Sequence, residues 1–308
     1  MIVTVTANAA LDVTYTVPTL TVHGSHRVSS VTQRAGGKGI NVAAVLAQLG
    51  HEVVVAGCAG GPTGEQIRRD LDVRGLSHRL TDLVGDSRRT VNVVDADTGD
   101  ATIFNEAGPA QPKSTFDALV RDVVRLVQEV RAQVVVLSGS LPTGFPADAY
   151  ARLVTQVHEV GVPVIVDADG ETLALAVAAH PEIIKPNSAE LASATGESDP
   201  VTGAAALRAL GARDVVVSAG ADGVLMLPAA GGNLRARLAT PLSGNPTGAG
   251  DALVAALAAG LAGGRSNEQI VRDAVAWSAA AVLQPAAGQV DPTDVTRLES
   301  QVRTEEIV

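Results

Sequence analysis

Short runs of β-branched residues alternate with helical patterns through most of the chain, and this alternation restricts the fold more than any other feature of the sequence. Two of the runs, VVVLS (134–138) and VIVD (164–167), are apolar up to their last residue. Such runs are typical of parallel strands that are covered on both faces. The alternation therefore predicts right-handed β-α-β units in a doubly wound α/β fold, with a mostly parallel sheet flanked by helices.

The positions of the main elements follow from the same pattern. Strands are expected at Ile2–Thr6, Glu52–Ala56, Val134–Ser138, Val162–Asp167, Ile183–Ile184 and Asp214–Ser218. Helices are expected at Ile40–Leu49, Thr63–Arg74, Thr115–Val130 and Ala147–Val160, and near 249–263, 267–284 and 292–302.

Two regions interrupt the alternation. Residues 13–34 have a strand-like pattern with polar interruptions, and Thr90–Phe104 has the pattern of a hairpin around the turn DADTGD (95–100). The chain contains no internal repeat, charge block or low-complexity linker. We therefore expect a single domain over residues 1–308, with a small β-sheet lid formed by segments of about 12–34 and 87–106.

Composition excludes several classes of protein. The net charge of −10 argues against a nucleic-acid-binding face, and the single cysteine, Cys58, excludes disulfide frameworks and thiolate metal clusters within the chain. The start of the sequence lacks the basic segment of a signal peptide. The longest apolar run, Ala252–Gly264, is shorter than the roughly 20 residues that span a bilayer. We expect a cytoplasmic protein without nucleic-acid or membrane partners.

Polar residues follow several of the expected strands. In open parallel sheets, ligands bind beyond the carboxyl ends of the strands. The residues at these ends are Asn8 and Asp12, Ser138 to Ser140, Asp167 and Asp169, Lys185 to Asn187, and Ser218 to Gly220. The sequence thus predicts a polar site along one edge of the sheet.

The stretch NPTGAGDALVAALAAGL (245–261) places one carboxylate behind a glycine turn and in front of an apolar helix. A helix that begins there presents free N–H groups, which bind anions. Asp251 has two interpretations. It is either an acid that stabilises the first turn of the helix, or a general base for a hydroxyl that attacks a phosphate held at the same turn.

Two further motifs are each ambiguous when taken alone. AGGKGINVAAVLAQLG (35–50) is either a glycine turn with an exposed lysine or a loop that approaches a ligand closely. In KPNSAEL (185–191), Asn187 and Glu190 form either a helix cap or an acidic group near a divalent cation and phosphates. A GxGxxG fingerprint and a metal-binding pair of histidines are both missing, which disfavours a dehydrogenase.

Taken together, the motifs carry more information than any one of them. NAALD (8–12), AGGKGINVA (35–43), SGSLPTG (138–144), KPNSAEL, SAGADG (218–223) and NPTGAGD (245–251) follow one another along almost the whole chain. In kind and order they resemble the motifs of the ribokinase-like (PfkB) carbohydrate kinase family, especially its 1-phosphofructokinase and tagatose-6-phosphate kinase branch. The resemblance implies a ribokinase-like fold with ATP and Mg²⁺ as cofactors.

The resemblance also implies roles for individual residues. Asp251 matches the catalytic base, and the anion hole for the transferring phosphoryl group matches Gly248, Ala249 and Gly250. The sugar-phosphate site matches Asp12, Gly37, Lys38, Asn41 and Arg88. The nucleotide site matches Lys185, Asn187, Ser218, Gly220, Gly223, Thr247 and Ser278. Glu190 matches the acid that organises Mg²⁺, indirectly through metal-bound water.

Some positions depart from the family pattern. Ala9 stands where a proline is usual, Thr90 where the branch often has asparagine, and Thr247 where valine is commoner. None of these changes removes a charged group. In SRRTV (87–91), both Arg88 and Arg89 remain candidates for the arginine that contacts the substrate phosphate from the lid.

The resemblance implies an ATP-dependent kinase of a ketohexose phosphate, with fructose 1-phosphate, converted to fructose 1,6-bisphosphate, as the preferred acceptor. Tagatose-6-phosphate kinase and 6-phosphofructokinase are alternatives, since these kinases share the same motifs. A non-catalytic sugar-phosphate-binding regulator and a ribose or nucleoside kinase are less favoured. Exposed strand edges of the lid offer unpaired backbone groups, so we expect a homodimer formed through the lid.

Overall fold

The β-branched runs form the centre of a ten-stranded sheet in the computed structural model, which describes residues 1–307. The strands are β1 (Ile2–Thr6), β2 (Ala10–Val17), β3 (Ser30–Gly36), β4 (Val53–Ala59), β5 (His78–Asp82), β6 (Arg88–Asp95), β7 (Ala101–Asn105), β8 (Val134–Ser138), β9 (Val164–Asp167), β10 (Ile183–Ile184), β11 (Asp214–Ser218), β12 (Val224–Leu227), β13 (Asn233–Leu238) and β14 (Val302–Ile307). The helices are α1 (Lys38–Gln48), α2 (Gly61–Val73), α3 (Lys113–Glu129), α4 (Ala149–His158), α5 (Gly170–Val177), α6 (Ser188–Thr195), α7 (Pro200–Ala209), α8 (Ala249–Ala262), α9 (Asn267–Val282) and α10 (Pro292–Glu299).

The main sheet has the order β14-β13-β12-β11-β10-β9-β8-β1-β4-β5. The strands from β11 to β5 in this order pair in parallel, while β12, β13 and β14 are antiparallel to their neighbours. The expected doubly wound, mostly parallel sheet is therefore confirmed. The chain winds outward in both directions from β1, so the crevice where the winding reverses opens between the carboxyl ends of β1 and β8.

Successive side chains of the central strands enter two separate cores, one on each face of the sheet. In β8, Val134 and Val136 pack into the core formed with α1, α8 and α9, whereas Val135 and Leu137 pack into the core formed with α3, α4 and α5. This alternation explains why the strand is apolar from Val134 to Leu137: both of its faces are covered. It also places α8 deep in the protein, beside α1 and α9.

A second, four-stranded sheet has the order β3-β2-β6-β7 and contains both regions that interrupt the alternation. Its outer face packs Leu11 and Val13 against Ile67 and Leu71 of α2. Its other face carries Asp12 and the side chains in register with it, and turns toward the crevice. We call this the cavity face of the small sheet.

One expected element is wrong in part. The helix near 292–302 ends at Glu299, and Val302–Ile307 instead forms β14 on the edge of the main sheet. The charged sequence VRTEEI has no apolar alternation, because this edge strand leaves half of its side chains exposed. Within residues 1–307, no helix is both long enough and apolar enough to cross a membrane.

Candidate active site

The ends of β1 and β8 are tied together at the crevice. Asn8 follows β1, and its Nδ2 donates to Ser140 Oγ at 3.2 Å and to the Leu141 carbonyl oxygen at 3.3 Å, both in the loop after β8. Two loops that are far apart in the sequence are thereby fixed side by side at the point where the winding of the sheet reverses.

The first turn of α8 begins in this crevice. Gly248 precedes the helix with φ +85°, and a Cβ there would lie 2.7 Å from Ala287 Cα, so the turn requires glycine. Ala249 N–H donates to the Pro246 carbonyl, and the next turn starts with Ala252 N–H donating to Gly248. Within residues 1–307, the N–H groups of Gly250 and Asp251 have no backbone acceptor. They form a site for an anion at the positive end of the helix dipole.

The Asp251 side chain is buried in the same turn and 7% exposed. Asn41 Nδ2, from the first turn of α1, donates to its Oδ2 at 2.8 Å. Burial and the negative charge of Asp167 raise the pKa of Asp251 to about 7, against the opposing effects of Asn41, Lys38 and Lys185. A carboxylate with a pKa near neutrality is well suited to accept a proton from a hydroxyl.

Asp167 is a buried counter-ion shared by two lysines. Its Oδ1 lies 3.2 Å from Lys185 Nζ and 3.4 Å from Lys38 Nζ, and its Oδ2 accepts from Ser138 Oγ at 3.0 Å. Burial works to raise the pKa of Asp167, but the charges of Lys185 and Lys38 outweigh it and the pKa lies below its ordinary value. The sequence analysis predicts that Asp167 lies at the end of a strand but assigns it no role. A carboxylate at the end of an apolar strand is the sequence signal that could have indicated a role in the site.

Lys38 is the charged member of the AGGKG loop. Burial lowers the pKa of Lys38, yet Asp167, Asp251, Glu190 and Asp169 together hold it above its ordinary value. The ammonium group is therefore charged and faces the crevice where these carboxylates meet.

The glycines of the AGGKG loop leave space for two neighbouring segments of the chain, at Thr6 and at Asp12. A Cβ on Gly36 would overlap the Asp12 carboxylate. A Cβ on Gly39 would lie 2.5 Å from Thr6 Oγ1, and one on Gly37, where φ is +116°, would lie 2.6 Å from Thr6 Cγ2. The loop thus seats the start of α1 directly on β1 and beside Asp12.

Asn187 and Glu190 form a capping box at the start of α6. Glu190 N–H donates to Asn187 Oδ1 and Asn187 N–H donates to Glu190 Oε2, each at 2.8 Å. Residues 1–307 contain no group of three His, Cys, Asp or Glu side chains that could hold a metal ion. Because Glu190 Oε2 already accepts a backbone hydrogen bond, Glu190 would fit an indirect rather than a direct role toward Mg²⁺.

A cavity of about 510 Å³ opens between the turn after β11 and the helices α8 and α9. Four of the expected nucleotide-site residues line it: Ser218, Gly220, Gly223 and Ser278. The rest of its wall is mainly apolar, with Val224, Leu238, Leu242 and Val275 among the lining residues. Lys185 does not line this cavity, whereas Gly250 does. A Cβ on Gly250 would lie 3.9 Å from Lys185 Nζ, so Gly250 lies next to both the cavity and the lysine.

A second cavity, of about 630 Å³, lies between the cavity face of the small sheet and the loops at 244–247 and 285–287. Three expected site residues line it, namely Asp12, Asn41 and Thr247. Thr247 was expected in the nucleotide site but lines this cavity instead. Gly37, Lys38 and Arg88 are not part of its wall.

Arg88 and Arg89 lie on opposite faces of the small sheet. Because Thr90 is in register with Asp12, Arg88 shares the cavity face with them, while Arg89 is on the outer face. Arg88 Nε donates to the Asn8 carbonyl at 3.1 Å, and its charge acts on the Asp12 carboxylate. Arg88 is therefore the better placed of the two candidates.

Known proteins share this architecture. Residues 3–294 match the pfkB family of carbohydrate kinases. The 1-phosphofructokinase of Rhodobacter capsulatus is 36% identical over 298 residues, which cover 94% of this chain and 92% of that protein. The crystal structure of phosphofructokinase-2 from Escherichia coli in complex with potassium has a TM-score of 0.90 at 29% identity, over 97% of this chain and 98% of that one.

Arabidopsis thaliana ribokinase, complexed with ribose and ATP, has a TM-score of 0.73 at 23% identity, over 97% of this chain and 98% of that one, a likeness of fold alone. The ribokinase-like fold and the family expected from the motifs are thus both confirmed. The chain belongs to the pfkB family of carbohydrate kinases.

Proposed function

We propose that the protein is an ATP-dependent kinase that phosphorylates fructose 1-phosphate to fructose 1,6-bisphosphate. The observation that carries the proposal is the position of Asp251. Its carboxylate is buried at the start of α8, and its pKa is about 7. The adjacent Gly250 lines the cavity of Ser218, and Asn41, which donates to the carboxylate, lines the cavity of Asp12. A base in this position lies between a nucleotide on one side and an acceptor hydroxyl on the other.

In this mechanism Asp251 accepts the proton of the attacking hydroxyl while Asn41 holds its carboxylate in position. The turn formed by Gly248, Ala249 and Gly250 receives the transferring phosphoryl group, because the N–H groups of Gly250 and Asp251 have no backbone acceptor within residues 1–307. Most of the rate enhancement in such reactions comes from positioning and electrostatic stabilisation.

The nucleotide would occupy the cavity lined by Ser218, Gly220, Gly223 and Ser278, with its phosphates directed toward Lys185 and Lys38. Mg²⁺ bound to those phosphates would neutralise charge that develops during transfer, with Glu190 and Asn187 organising its water ligands. The buried Asp167 keeps both ammonium groups in place before the nucleotide binds.

The acceptor would lie on the cavity face of the small sheet, with hydroxyl groups hydrogen-bonded by Asp12 and Asn41 and with Gly37 and Lys38 at the loop beside them. Arg88 would contact the acceptor from the same face. We propose that the small sheet acts as a lid of a single domain, and that its closure over the acceptor excludes water from the transferring group.

The choice of fructose 1-phosphate is supported by the similarity of this chain to the 1-phosphofructokinase of Rhodobacter capsulatus. Tagatose 6-phosphate and fructose 6-phosphate are the alternative acceptors. The test is an ADP-release assay with fructose 1-phosphate, fructose 6-phosphate, tagatose 6-phosphate and ribose. We expect the highest kcat/KM with fructose 1-phosphate, and preference for ribose would reject a sugar-phosphate kinase.

The same assay with the Asp251→Asn variant tests whether Asp251 is the general base. We expect turnover to fall by about 10²–10⁴-fold, the usual contribution of a general base, while nucleotide binding measured by calorimetry is unchanged. Near-normal turnover in this variant would contradict the mechanism. Saturable binding of sugar phosphates without ADP release by the unmodified protein would identify a non-catalytic binding protein.

We further propose that the protein forms a homodimer through the small sheet and acts in the cytoplasm, where ATP and sugar phosphates are available. Val31 and Phe104 lie on the outer face of that sheet and are 54% and 57% exposed. Large apolar side chains on an exposed sheet are typical of an interaction surface. Sedimentation should show a dimer that Phe104→Lys dissociates, and a monomeric unmodified protein would reject the proposal.

A further inference from the structure

The loop between α9 and α10 packs against both helix starts that form the proposed site. A Cβ on Gly248, at the start of α8, would lie 2.7 Å from Ala287 Cα. A Cβ on Gly288 would lie 3.0 Å from Oδ1 of Asn41, whose Nδ2 donates to the carboxylate of the base at 2.8 Å. We call residues 285–290 the α9–α10 loop. It lies between the first turns of α1 and α8 and in contact with each.

Few contacts fix the position of the α9–α10 loop itself. Its sequence, PAAGQV, contains no charged residue. Within residues 1–307, three hydrogen bonds join the loop to other segments of the chain. One is donated by Asn245 Nδ2 to the Pro285 carbonyl oxygen at 3.2 Å. The other two are both made by the side chain of Gln48.

Gln48 is the last residue of α1, and both ends of its amide bind the loop. Its Nε2 donates to the Gly288 carbonyl oxygen at 2.8 Å and to the Ala44 carbonyl oxygen of its own helix at 2.7 Å. Its Oε1 accepts a hydrogen bond from Val290 N–H at 3.1 Å. The amide therefore fixes the position of Gly288, the residue that packs against Asn41.

Gln48 lines neither of the cavities that we propose for the substrates. Its connection to the site passes from Gln48 to Gly288 through a hydrogen bond, and from Gly288 to Asn41 through close packing. A series of contacts of this kind can carry an effect between residues that do not touch. A displacement of Gly288 would remove the packing that holds the amide of Asn41 against the base.

We propose that Gln48 is a positioning residue for the phosphoryl transfer, because it holds the α9–α10 loop against Asn41 and so keeps the Asn41 amide on the carboxylate of the base. This inference rests on the proposed kinase function. It gives a role to a residue near the end of the AGGKGINVAAVLAQLG stretch that the family motifs leave without one. Gln48 is exposed, so water competes for its amide and the effect should be moderate.

The test compares Gln48→Met with Gln66→Met, a control at an exposed position of α2. Methionine keeps the length of the side chain and removes its hydrogen bonds. For Gln48→Met we expect kcat to fall by about 3–10-fold, the usual effect of one or two lost hydrogen bonds. The KM for ATP should change little, since the loop does not line the cavity proposed for the nucleotide. Gln66→Met should behave as the unmodified protein.

A pH profile of kcat/KM distinguishes positioning of the base from a general loss of activity. A weaker hydrogen bond from Asn41 raises the pKa of Asp251. The acidic limb of Gln48→Met should therefore move to higher pH, by up to about half a pH unit. The charged groups that act on this carboxylate are unchanged in the variant, and they are Asp167, Lys38 and Lys185.

The double variant Asn41→Leu/Gln48→Met tests the route of the effect. If Gln48 acts through Asn41, the acidic limb of the double variant should coincide with that of Asn41→Leu alone, because residues that act through one contact are not additive. Additive shifts would overturn the inference. A Gln48→Met profile that coincides with that of Gln66→Met would also overturn it, as would a fall in kcat without a shift of the limb. Thermal unfolding of each variant verifies that the fold is intact.

Failure of the proposed kinase function is separately visible. If the unmodified protein and Gln66→Met release no ADP with any sugar phosphate, the function fails. The carboxyl group of Asp251 is then titrated directly, by NMR of protein labelled with ¹³C-aspartate, and Asp251→Asn assigns its signal. A higher pKa of Asp251 in Gln48→Met than in Gln66→Met supports the positioning role, and equal values reject it.

Discussion

Asn41 donates a 2.8 Å hydrogen bond to the carboxylate of Asp251, joining two residues that are 210 positions apart in the chain. The bond links the first turn of α1 to the first turn of α8. It favours the ionised carboxylate and so opposes the burial that raises the pKa of Asp251 to about 7. The reactivity of the proposed base therefore depends on contacts from several distant segments of the chain.

Replacing Asn41 by leucine should make Asp251 harder to ionise. Loss of the donor raises the pKa of Asp251 further, and because a general base acts in its ionised form, the acidic limb of kcat/KM should move to higher pH by roughly one pH unit. The measurement is a pH profile of ADP release. Gln66→Leu, at an exposed position of α2, is the control for loss of an amide. If the acidic limb of the Asn41→Leu profile does not move, Asn41 does not influence the pKa of the base.

Replacing Asp167 by asparagine should shift the same limb in the opposite direction. The charge of Asp167 raises the pKa of Asp251, second only to burial, so its removal lowers that pKa and activity should persist to lower pH. Opposite shifts in the Asn41 and Asp167 variants would show that both act on one carboxylate. Shifts in the same direction would contradict the assignment of Asp251 as the titrating base.

The Asp167→Asn substitution should also destabilise the fold. It leaves Lys185, which is 4% exposed, without its carboxylate, and breaking a buried ion pair costs about 3–5 kcal/mol. The pKa of Asp167 is depressed, so this stabilisation is present above the carboxyl's ordinary pKa and is lost as the pH falls through the folded value. Urea unfolding at pH 7 measures it. Asp148→Asn, which breaks an exposed pair with Arg152, should cost less than about 1 kcal/mol.

Strand ends could be predicted from the sequence because local signals specify them. The apolar strand Val134–Ser138 and the GAGD turn at Asp251 each lie within one short segment. Pairing across the fold has no such signal. Asp167 meets Lys38 from 129 positions away, and only the parallel order of β1, β8, β9 and β10 brings them together.

The cavity of about 630 Å³ was harder to foresee for the same reason. Among its lining residues, Arg34 comes from an edge strand of the small sheet and Arg74 follows α2, and neither lies in a recognisable motif. Thr247 belongs to the NPTGAGD motif, yet it lines this cavity and not the one lined by Ser218. The motif identifies the chemistry of the turn, while the loops packed against it decide which cavity each side chain lines.

Replacing Asp251 by asparagine should stabilise the protein at alkaline pH. The folded pKa of about 7 lies above the ordinary value of 3.8, so ionising the buried carboxylate costs stability that grows between these two pH values and is complete above pH 7. The amide avoids that cost, so the gain at pH 8 should be at most about 4 kcal/mol and should vanish near pH 4. Urea unfolding at both pH values measures it. Equal or lower stability of the variant at pH 8 would contradict a buried carboxylate with a raised pKa.

Alanine at two neighbouring glycines should separate folding from catalysis. A Cβ on Gly250 has space around it, so Gly250→Ala should keep its melting temperature, while the methyl group obstructs the phosphoryl site and lowers kcat. Gly248 has φ +85° and a close approach to Ala287, so Gly248→Ala should lose about 1–2 kcal/mol of stability. The measurements are thermal unfolding and ADP release. Full activity of Gly250→Ala would reject the turn as the phosphoryl site.

The cavity that we propose for the nucleotide should discriminate poorly between purine bases. Among the described residues that line it, the polar side chains are the hydroxyls of Ser218, Ser243 and Ser278, and the others are apolar or glycine. Apolar pockets that lack a dedicated hydrogen-bonding partner reject a related ligand only by about 10–200-fold. We therefore expect GTP to replace ATP with a kcat/KM within about 200-fold and with an unchanged KM for the acceptor. Formation of fructose 1,6-bisphosphate from either nucleotide is the measurement. Rejection of GTP by about 10⁴-fold or more would show that backbone groups or bound water read the base edge.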